Sequence, residues 1–422
     1  MGVLCNCTTC NSTITMRCNM FGIIIYILLM FSFIYGLYFL IMASGVFINK
    51  KCNVDNKKKN HFAILIAARN EEVVIKNLIS SLKKQNYPND KYDIYVIINN
   101  CTDNTLEVAK KAGANIIECK QKVKSKGEVL KYTFNKLKND NEIDAYVIFD
   151  ADNVVHREFL NSMNDSINSG YEVVQGFRDT KNICDNWLTT SYAILYYLQS
   201  LFINKSRFNF GKSSFLNGTG FMVKKEVIDK YGFDPKTITE DIEFTAICAI
   251  NGVKIAFNED AITYDEQVTD FKSSLKQRKR WSFGATQCLK NYTVSLMKEG
   301  IKNKRFECFD VILFYFGIIF HVLFTIISLI GIIYNVVYLD NFNNTDIIIC
   351  SIIFLVNYLI GTIFRMIVIK KCNKSIKDNI WGILLFDLFV LSWLPINFIC
   401  LFMRDCNWEH IKHDRNVDTL NV

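Results

Sequence analysis

The chain contains only three prolines among its 422 residues, and charged side chains make up 21% of it. This composition excludes a collagen-like chain and a highly charged disordered chain. No glycine-rich phosphate loop of the Walker or dinucleotide-binding type occurs, which argues against a P-loop ATPase and a dinucleotide-dependent oxidoreductase. Charge is absent from two long apolar stretches, at 21–48 and 311–339. Each exceeds the roughly 20 apolar residues that cross a bilayer as a helix, so the sequence predicts a membrane protein.

Basic residues indicate how the apolar stretches are oriented. Lysines are concentrated at 50–59, directly after the first stretch, whereas only Arg17 precedes it. By the positive-inside rule the region after this stretch lies in the cytoplasm. The net charge of +8 then reflects this bias rather than affinity for nucleic acid. Two further stretches, 347–369 and 380–403, are separated by a basic loop, and the loop at 340–346 has no lysine or arginine. We therefore expect four transmembrane helices, with both chain ends outside.

The expected organisation has five parts. These are a cysteine-rich tail at 1–20, a transmembrane helix at 21–48, a cytosolic domain at 60–305, a C-terminal transmembrane bundle at 309–404 and a polar tail at 405–422. The fifteen cysteines are scattered, as is typical of reduced thiols. Four of them cluster in the first tail without zinc-site spacing, so we expect that tail to be unstructured. Asp387 and Pro395 interrupt the last apolar stretch. The charge of Asp387 would either face protein or a water-filled path, or mark a helix end near the membrane interface.

The cytosolic domain alternates strand and helix patterns. Four apolar runs predict buried strands, at 62–68, 92–99, 114–119 and 145–149. Helical patterns fill the intervals, at 71–85, 105–112 and 127–138, and the first has two acids in its first turn. Such repeats predict an α/β fold with a mostly parallel, doubly wound sheet. Ligands of these sheets bind beyond the carboxyl ends of the strands, so functional residues are expected there.

Two acidic pairs are candidates for chemistry. Asp150 and Asp152 follow the fourth strand, and two carboxylates at this spacing can hold Mg²⁺ or Mn²⁺ against a diphosphate, although in a random loop the same pair is usually a solvated turn. Glu240 and Asp241 follow Thr239, and acids here could include a general base for an acceptor hydroxyl. The alternative is a helix start, in which Thr239 caps the helix and the acids complement its dipole.

Two segments suit a sugar or a membrane surface. The segment 277–281 contains arginines, which can form paired hydrogen bonds to a diphosphate. A tryptophan follows them directly, and its flat face suits a sugar ring. A basic amphipathic helix on the membrane surface is the alternative, and both can hold. The aromatic region 187–210 is interpreted as a helix at the membrane interface that guides an acceptor toward the exit helices. An ordinary core helix is the alternative.

Residues 62–290 resemble the membrane-bound processive glycosyltransferases of family 2, which include cellulose, chitin, hyaluronan and poly-N-acetylglucosamine synthases. The resemblance rests on ordered motifs between the apolar stretches. They are Ala68-Arg69-Asn70-Glu71, Asn100–Thr105, Lys126-Gly127, Asp150-Ala151-Asp152, Gly218-Thr219-Gly220, Thr239-Glu240-Asp241 and Gln277…Arg280-Trp281. One such motif can occur by chance, but the ordered set is highly specific. The resemblance implies a nucleotide-sugar-binding, Rossmann-like (GT-A) domain.

The resemblance also implies roles on the donor side. The residues that would contact the nucleoside and nucleotide are Arg69, Glu71, Asn99 and Lys126. Asp150 and Asp152 would hold the diphosphate and its Mg²⁺ or Mn²⁺, with Asp152 as the more direct ligand. Relatives usually carry an aspartate where this chain has Asn99. An amide oxygen can still accept the uracil imide N–H, but without charge assistance.

On the acceptor side, the resemblance implies that Asp241 is the general base and that Glu240 helps to hold the acceptor. Gln277, Arg280 and Trp281 would bind the terminal acceptor sugar and the diphosphate. Transfer would invert the anomeric carbon, giving a β-linkage from an α-linked donor.

Three functions fit these residues. The sequence favours an enzyme that extends a β-linked polysaccharide with a hexose or N-acetylhexosamine, drawn from a nucleotide diphosphate sugar such as a UDP-sugar, and passes the product through its own helices. The first alternative transfers one sugar to a membrane lipid, since four helices are few for a channel. The second is an inactive sugar-binding scaffold, against which the intact Asp150, Asp152 and Asp241 argue. Control by a cyclic nucleotide would need an accessory subunit.

Overall fold

The computed structural model describes residues 27–28, 30–48, 50, 58–123, 125–338 and 344–406. The expected N-terminal tail with its cysteines, nearly all of the polar C-terminal tail and most of the loop after residue 339 lie outside the described residues. Within them, an α/β domain at 58–305 follows one long apolar helix and precedes further apolar helices.

The first half of the α/β domain is a parallel sheet with the predicted strand–helix order. Its strands are β1 (Phe62–Ala68), β2 (Tyr92–Ile98), β3 (Asn115–Glu118) and β4 (Ala145–Asp150). Its helices are α2 (Ile75–Lys83), α3 (Thr105–Lys111) and α4 (Lys126–Leu137). β1 pairs in parallel with both β2 and β4, and β2 pairs with β3. The mostly parallel sheet with flanking helices is thus confirmed.

Helix α2 begins later than the pattern predicts. The predicted first residue, Glu71, lies in a turn before the helix, and its carbonyl accepts hydrogen bonds from Val74 and Ile75. Asn70 immediately before it adopts φ 59°, a left-handed conformation that asparagine tolerates, so the chain bends sharply at the end of β1. The predicted helix start was wrong by four residues, because the acids belong to the strand-end turn.

The second half completes an eight-stranded sheet in the order β3-β2-β1-β4-β7-β6-β8-β5. The added strands are β5 (Val154–Val155), β6 (Val173–Thr180), β7 (Phe221–Lys224) and β8 (Ile255–Asp265). β7 is antiparallel to both β4 and β6, whereas β6 and β8 are parallel. The helices of this half are α5 (Phe159–Asn168), α6 (Trp187–Leu198), α7 (Ser206–Asn209), α8 (Lys225–Tyr231), α9 (Glu240–Asn251) and α10 (Phe271–Lys302). A π-helix, Gln199–Lys205, joins α6 to α7.

Four described segments are long and apolar enough to cross a membrane, one before the α/β domain and three after it. The first is α1, Met30–Phe47. The others lie in α11 (Phe306–Tyr338), α12 (Asn344–Lys371) and the pair α13 (Ile380–Leu391) and α14 (Trp393–Phe402). The number and placement agree with the sequence prediction. The last segment is broken at Ser392 rather than continuous.

A buried ion pair fixes the α/β domain to the apolar helices. Arg207 of α7 is fully buried, and its Nε and Nη2 lie 2.9 and 3.0 Å from the carboxylate of Asp310 in α11. Tyr38 of α1 donates its hydroxyl to the same carboxylate. The Arg207 guanidinium also lies over the ring of Phe215, 4.8 Å from its centroid. One polar cluster therefore connects α1, α7 and α11.

Helix α6 lies between the sheet and the apolar helices. Tyr192 and Tyr197 are fully buried in the main hydrophobic core together with sheet residues such as Phe149. Val368 and Ile369 near the end of α12 belong to the same core. The region 187–210 is thus buried on the sheet side and covered by apolar helices on the other.

Candidate active site

One cavity of about 560 Å³ lies beyond the carboxyl ends of β1, β2 and β4. All of the side chains that the sequence analysis singled out line it, although they are spread over more than 200 positions. They are Arg69, Glu71, Asn99, Lys126, Asp150, Asp152, Glu240, Asp241, Gln277, Arg280 and Trp281. The structure brings these residues together, while their individual roles stay predictions.

Two asparagines shape the part of the cavity next to β1 and β2. Asn70 and Asn100 both adopt left-handed backbone conformations directly after these strands. The Asn70 side chain accepts a hydrogen bond of 2.8 Å from the backbone N–H of Thr102, which holds the two strand-end turns together. Buried Asn99 lies in this pocket, and its amide nitrogen is 3.4 Å from the carbonyl oxygen of Cys119. The result is a small polar pocket at the sheet edge.

Lys126 lies at the centre of the acidic groups. Its Nζ is 2.5 Å from Asp150 Oδ1, 2.7 Å from the carbonyl oxygen of Gly218 and 3.8 Å from Glu240 Oε1. Burial raises the pKa of Asp150, but the charge and hydrogen bond of Lys126 outweigh burial and lower that pKa below its ordinary value. Asp150 is therefore an ionised carboxylate in this site.

Helix α4 approaches the Thr239–Asp241 segment closely because residue 127 is a glycine. A Cβ at Gly127 would lie 2.8 Å from Pro235 and 2.9 Å from Glu240. Gly284 of α10 acts in the same way from the other side, since its Cβ would lie 2.2 Å from Thr239 Oγ1. The segment is held between two helices at positions where neither carries a side chain.

Glu240 and Asp241 form the first turn of α9, with Thr239 at the N-cap position. Thr239 makes no capping side-chain hydrogen bond, so the proposed capping role is wrong for its hydroxyl. Burial raises the pKa of Glu240 to about 7, and the charge of Lys126 opposes this shift. Burial also raises the pKa of Asp241. A carboxylate that is hard to keep ionised accepts a proton readily, which suits a general base.

Asp152 is the second carboxylate that could hold a metal ion at this wall of the cavity. Its Oδ2 accepts a hydrogen bond of 3.1 Å from the backbone N–H of Glu266, whereas Asp150 is held by Lys126. Among the described residues there is no cluster of three or more histidine, cysteine or acidic side chains that could hold a metal. Two hard oxygen ligands are nevertheless enough for Mg²⁺ or Mn²⁺ when a bound diphosphate and waters complete the coordination. The residues fit a metal that arrives with its phosphates.

The basic segment of α10 divides between two environments. Gln277, Arg280 and Trp281 line the cavity, and the charge of Arg280 helps to lower the pKa of Asp150. Arg278 points away and is fully buried, donating to the carbonyl oxygen of Phe389 at 3.0 Å. One side of this helical segment thus lines the cavity, and the other side packs against α13.

Sequence reasoning missed Arg178 of β6. This arginine lines the cavity, lies over the ring of Tyr196 at 3.7 Å from its centroid, and donates through Nε to Asp265 at 2.7 Å. Its charge also lowers the pKa of Asp150. It adds a third cation beside the acidic group. No motif marks it, but an arginine inside an otherwise buried strand was a signal that could have been followed.

Residues of the membrane-candidate helices, most of them apolar, line another part of the cavity. Phe314, Gly317 and Ile318 come from α11, and Trp393 and Asn397 come from α14. The cavity therefore runs from the polar pocket at the sheet edge to the apolar helices.

Comparison with known proteins agrees with this arrangement. The model of the family described as "Glycosyltransferase like family 2" matches residues 59–284. The probable glycosyltransferase YdaM of Bacillus subtilis is 26% identical over 61% of this chain and 64% of its own length. The beta-monoglucosyldiacylglycerol synthase of Synechocystis is 24% identical over 54% of this chain and 48% of its own. The poly-beta-1,6-N-acetyl-D-glucosamine synthase of Staphylococcus aureus is 25% identical over 62% of each chain. The chain thus spans between about half and two thirds of these relatives.

A solved structure shows the same fold over most of the chain. The mannosyltransferase PcManGT of Pyrobaculum calidifontis, solved with GDP-Man and Mn²⁺, has a TM-score of 0.60 and 13% identity, over 90% of this chain and 98% of its own. At this identity the likeness concerns the fold. The family model matches more than half of the chain and therefore shows common ancestry in addition to a common fold. With the site residues gathered in one cavity of a glycosyltransferase fold, the chain belongs to the glycosyltransferase family 2 and is a transferase.

Proposed function

We propose that this protein is an inverting, metal-dependent glycosyltransferase that moves one hexose or N-acetylhexosamine from a nucleotide diphosphate sugar to a lipid acceptor at the cytoplasmic membrane face. The observation that carries this proposal is the continuity of the cavity, which joins the acidic site to apolar residues of α11 and α14. An acceptor whose hydroxyl lies near Asp241 can keep its apolar part against Phe314 and Ile318.

The nucleoside would bind at the sheet edge beside Asn99. A primary amide offers one acceptor and one donor side by side, which matches the imide N–H and the adjacent carbonyl of uracil. Guanine presents two adjacent N–H donors instead, which an aspartate would satisfy better. Asn99 is therefore compatible with a UDP-sugar donor.

The diphosphate would lie between the acids and the three cations of the cavity. Asp152, and more weakly Asp150, would hold Mg²⁺ or Mn²⁺, which would neutralise part of the leaving group's charge. Lys126, Arg178 and Arg280 line the same cavity and would attract the phosphate oxygens. A guanidinium group can bind a phosphate through two parallel hydrogen bonds, which also fixes the orientation of the phosphate.

Asp241 would take the proton from the acceptor hydroxyl while the oxygen attacks the anomeric carbon and the bond to the diphosphate breaks. Attack opposite the leaving group inverts that carbon and needs one base only. Glu240, with its raised pKa, would hold the acceptor by a hydrogen bond. Trp281 packs edge-on against Tyr192 and Tyr196 and at a tilt against Trp393, and it lines the cavity, where it would contact a sugar.

Extension of a polysaccharide, which the sequence favoured, is the second candidate because the poly-N-acetylglucosamine synthase is among the relatives. A polymer would need an enclosed polar path across the membrane. In the described part of the chain, α12 has only 6% of its candidate span buried, and the cavity ends against apolar residues. These features favour the lipid acceptor.

The test is to incubate the purified protein in vesicles of the host cell's own lipids with a panel of radiolabelled UDP- and GDP-sugars. A single labelled species that extracts into organic solvent and carries one added sugar supports the proposal. A ladder of lengthening, water-soluble products would overturn the lipid acceptor and establish polysaccharide extension. Absence of label in both phases with every donor would overturn the transferase proposal itself.

Asp152→Ala is expected to raise the metal concentration needed for half-maximal activity steeply, because one of two carboxylate ligands is lost. A metal titration of activity checks this, and Mn²⁺ binding by paramagnetic resonance gives a readout that does not depend on turnover. Asp260→Ala is the matched control, since Asp260 is an exposed acid on β8 away from the cavity. An unchanged titration for Asp152→Ala would contradict the ligand role.

A further inference from the structure

The last apolar segment, Ile380–Phe402, begins against the start of α6. Asn379, just before α13, accepts a hydrogen bond of 3.0 Å from the Thr190 hydroxyl. At Gly382 the two helices are so close that a Cβ would lie 2.2 Å from the Cβ of Thr190. Ile383 and Phe389 are fully buried in the main core of the α/β domain. This end of the segment is part of that domain.

The same segment ends against the start of α10. Trp393 and Asn397 of α14 both bond to the hydroxyl of Ser282, at 2.9 and 2.7 Å. Less than one turn after Asn397, Cys400 contacts the carbonyl oxygen of Lys279 at 3.5 Å. Beyond the helix end, Met403 and Cys406 pack in one cluster with residues that include Leu275. As α14 proceeds, its contacts on α10 move from Ser282 to Lys279 and then to Leu275. Helix α14 therefore lies antiparallel to the first turns of α10.

The start of α6 and the start of α10 are neighbours in the α/β domain. The side chain of Asn186, which caps α6, donates to the carbonyl oxygen of Thr269 at 3.0 Å, and Thr269 immediately precedes the cap of α10. The rings of Trp187 and Phe271 lie 6.0 Å apart. The beginning and the end of the apolar segment therefore return to the same edge of the domain.

A continuous helix of this length would instead carry its end roughly 30–35 Å away, to the far side of the bilayer. We propose that Ile380–Phe402 does not cross the membrane. Its two helices, α13 and α14, meet at a bend at Ser392 and lie in the leaflet next to the α/β domain, packed on α6 and α10 respectively; this bent pair is called the hairpin below. Only α1, α11 and α12 cross, and residue 406 is on the same side of the membrane as the α/β domain.

The hairpin's outer surface fits the bilayer interface. Its exposed side chains are large and apolar, namely Trp381, Leu388, Leu391, Phe398, Ile399 and Phe402. Asp387 is half exposed yet paired with Arg365 of α12 at 2.7 Å. A half-exposed charge is costly at the bilayer centre but tolerable near the headgroups. α14 also lies beside the exposed Lys276 and Lys279 of α10, which suit headgroup phosphates.

The proposal is tested by locating the C-terminus in sealed membrane vesicles of one orientation. An epitope tag behind a specific protease site is placed after Val422, in the exposed loop at 120–122, or in the loop at 340–343. We expect the tag after Val422 to be cleaved from the same side as the tag at 120–122, and the tag at 340–343 to be cleaved only from the other side.

Unmodified protein gives a second measurement in case a tag disturbs folding. Limited trypsin treatment of the same vesicles should cut after Arg404, Lys412 or Arg415 whenever it cuts exposed lysines of the α/β domain, as mass spectrometry of the fragments would detect. Protection of these sites while the α/β domain is cut, or a Val422 tag that behaves like the 340–343 tag, would overturn the hairpin. Either outcome leaves the proposed transfer reaction untouched.

Discussion

Asp241→Asn is expected to lower the rate of sugar transfer by roughly 10²–10⁴-fold, the usual contribution of a general base. The amide keeps the size and most contacts of the carboxylate but cannot accept the acceptor's proton. Donor binding should change little, because the proposed donor contacts are Asn99, Lys126, Asp150 and Asp152 and do not include Asp241. Turnover with saturating donor and titration calorimetry with the nucleotide sugar measure the two effects separately.

Asp260→Asn makes the same chemical change at an exposed position of β8 and should retain full activity. A variant that binds the donor and still turns over near the normal rate would remove Asp241 as the base. The acid limb of kcat/KM against pH provides a further check, since burial raises the pKa of Asp241 in the free enzyme. The activity of the normal protein should therefore decline, as the pH falls, at a higher pH than an ordinary aspartate would give.

Arg207→Leu is expected to lower the free energy of unfolding by about 3–5 kcal/mol, since it leaves Asp310 as a buried charge without its partner. Arg207 is fully buried and holds Asp310 through two hydrogen bonds. Tyr38 can satisfy only one lone pair of the carboxylate. Denaturant or thermal unfolding in detergent micelles measures the loss.

The double variant Arg207→Leu, Asp310→Leu should recover most of this stability, because no charge is then left buried. Lys131→Leu is the matched control. It removes the surface ion pair with Asp234, whose side chains are 46% and 66% exposed, and should cost no more than about 1 kcal/mol. Equal destabilisation by the single and double variants would mean that packing, rather than the charge, accounts for the effect.

The sequence predicted the parallel half of the sheet well because burial on both faces leaves a continuous apolar run. Phe62–Ala68 is such a run, and the structure has a strand with the same bounds. Arg69, Glu71, Asn99, Asp150 and Asp152 could be found for a related reason, because they follow parallel strands, which end at one edge of the sheet. The site residues on α4, α9 and α10 were found from their motifs instead. Glu71 was predicted to begin helix α2 because acidic residues favour the first turn of a helix. In the structure the left-handed Asn70 bends the chain, and Glu71 lies in the turn before the helix.

The remaining features depend on contacts between distant positions. Arg178 was not recognised because its function as a cation of the site requires Asp265, on a strand far along the chain. The antiparallel strand β7 has only four residues and no pattern that separates it from a loop. The break at Ser392 does have a signal, because Pro395 has no N–H to donate to the carbonyl of Leu391 and so interrupts the helix there. That signal alone does not distinguish a kinked spanning helix from a hairpin, since an apolar segment suits both. What distinguishes them is the series of partners on α6 and α10.

The two ends of the cavity are lined differently, by the polar pocket at the sheet edge and by residues of α11 and α14. In the proposed reaction a nucleotide sugar, which is a polar solute, would reach Asn99 and Lys126 from water, whereas a lipid acceptor diffuses in two dimensions and would arrive from the side of α11 and α14. For such an enzyme the relevant acceptor quantity is its mole fraction in the leaflet rather than its amount per volume. Dilution with inert lipid would therefore slow the protein even at constant total acceptor, and released nucleotide could return to the aqueous phase without crossing the path of the glycosylated lipid.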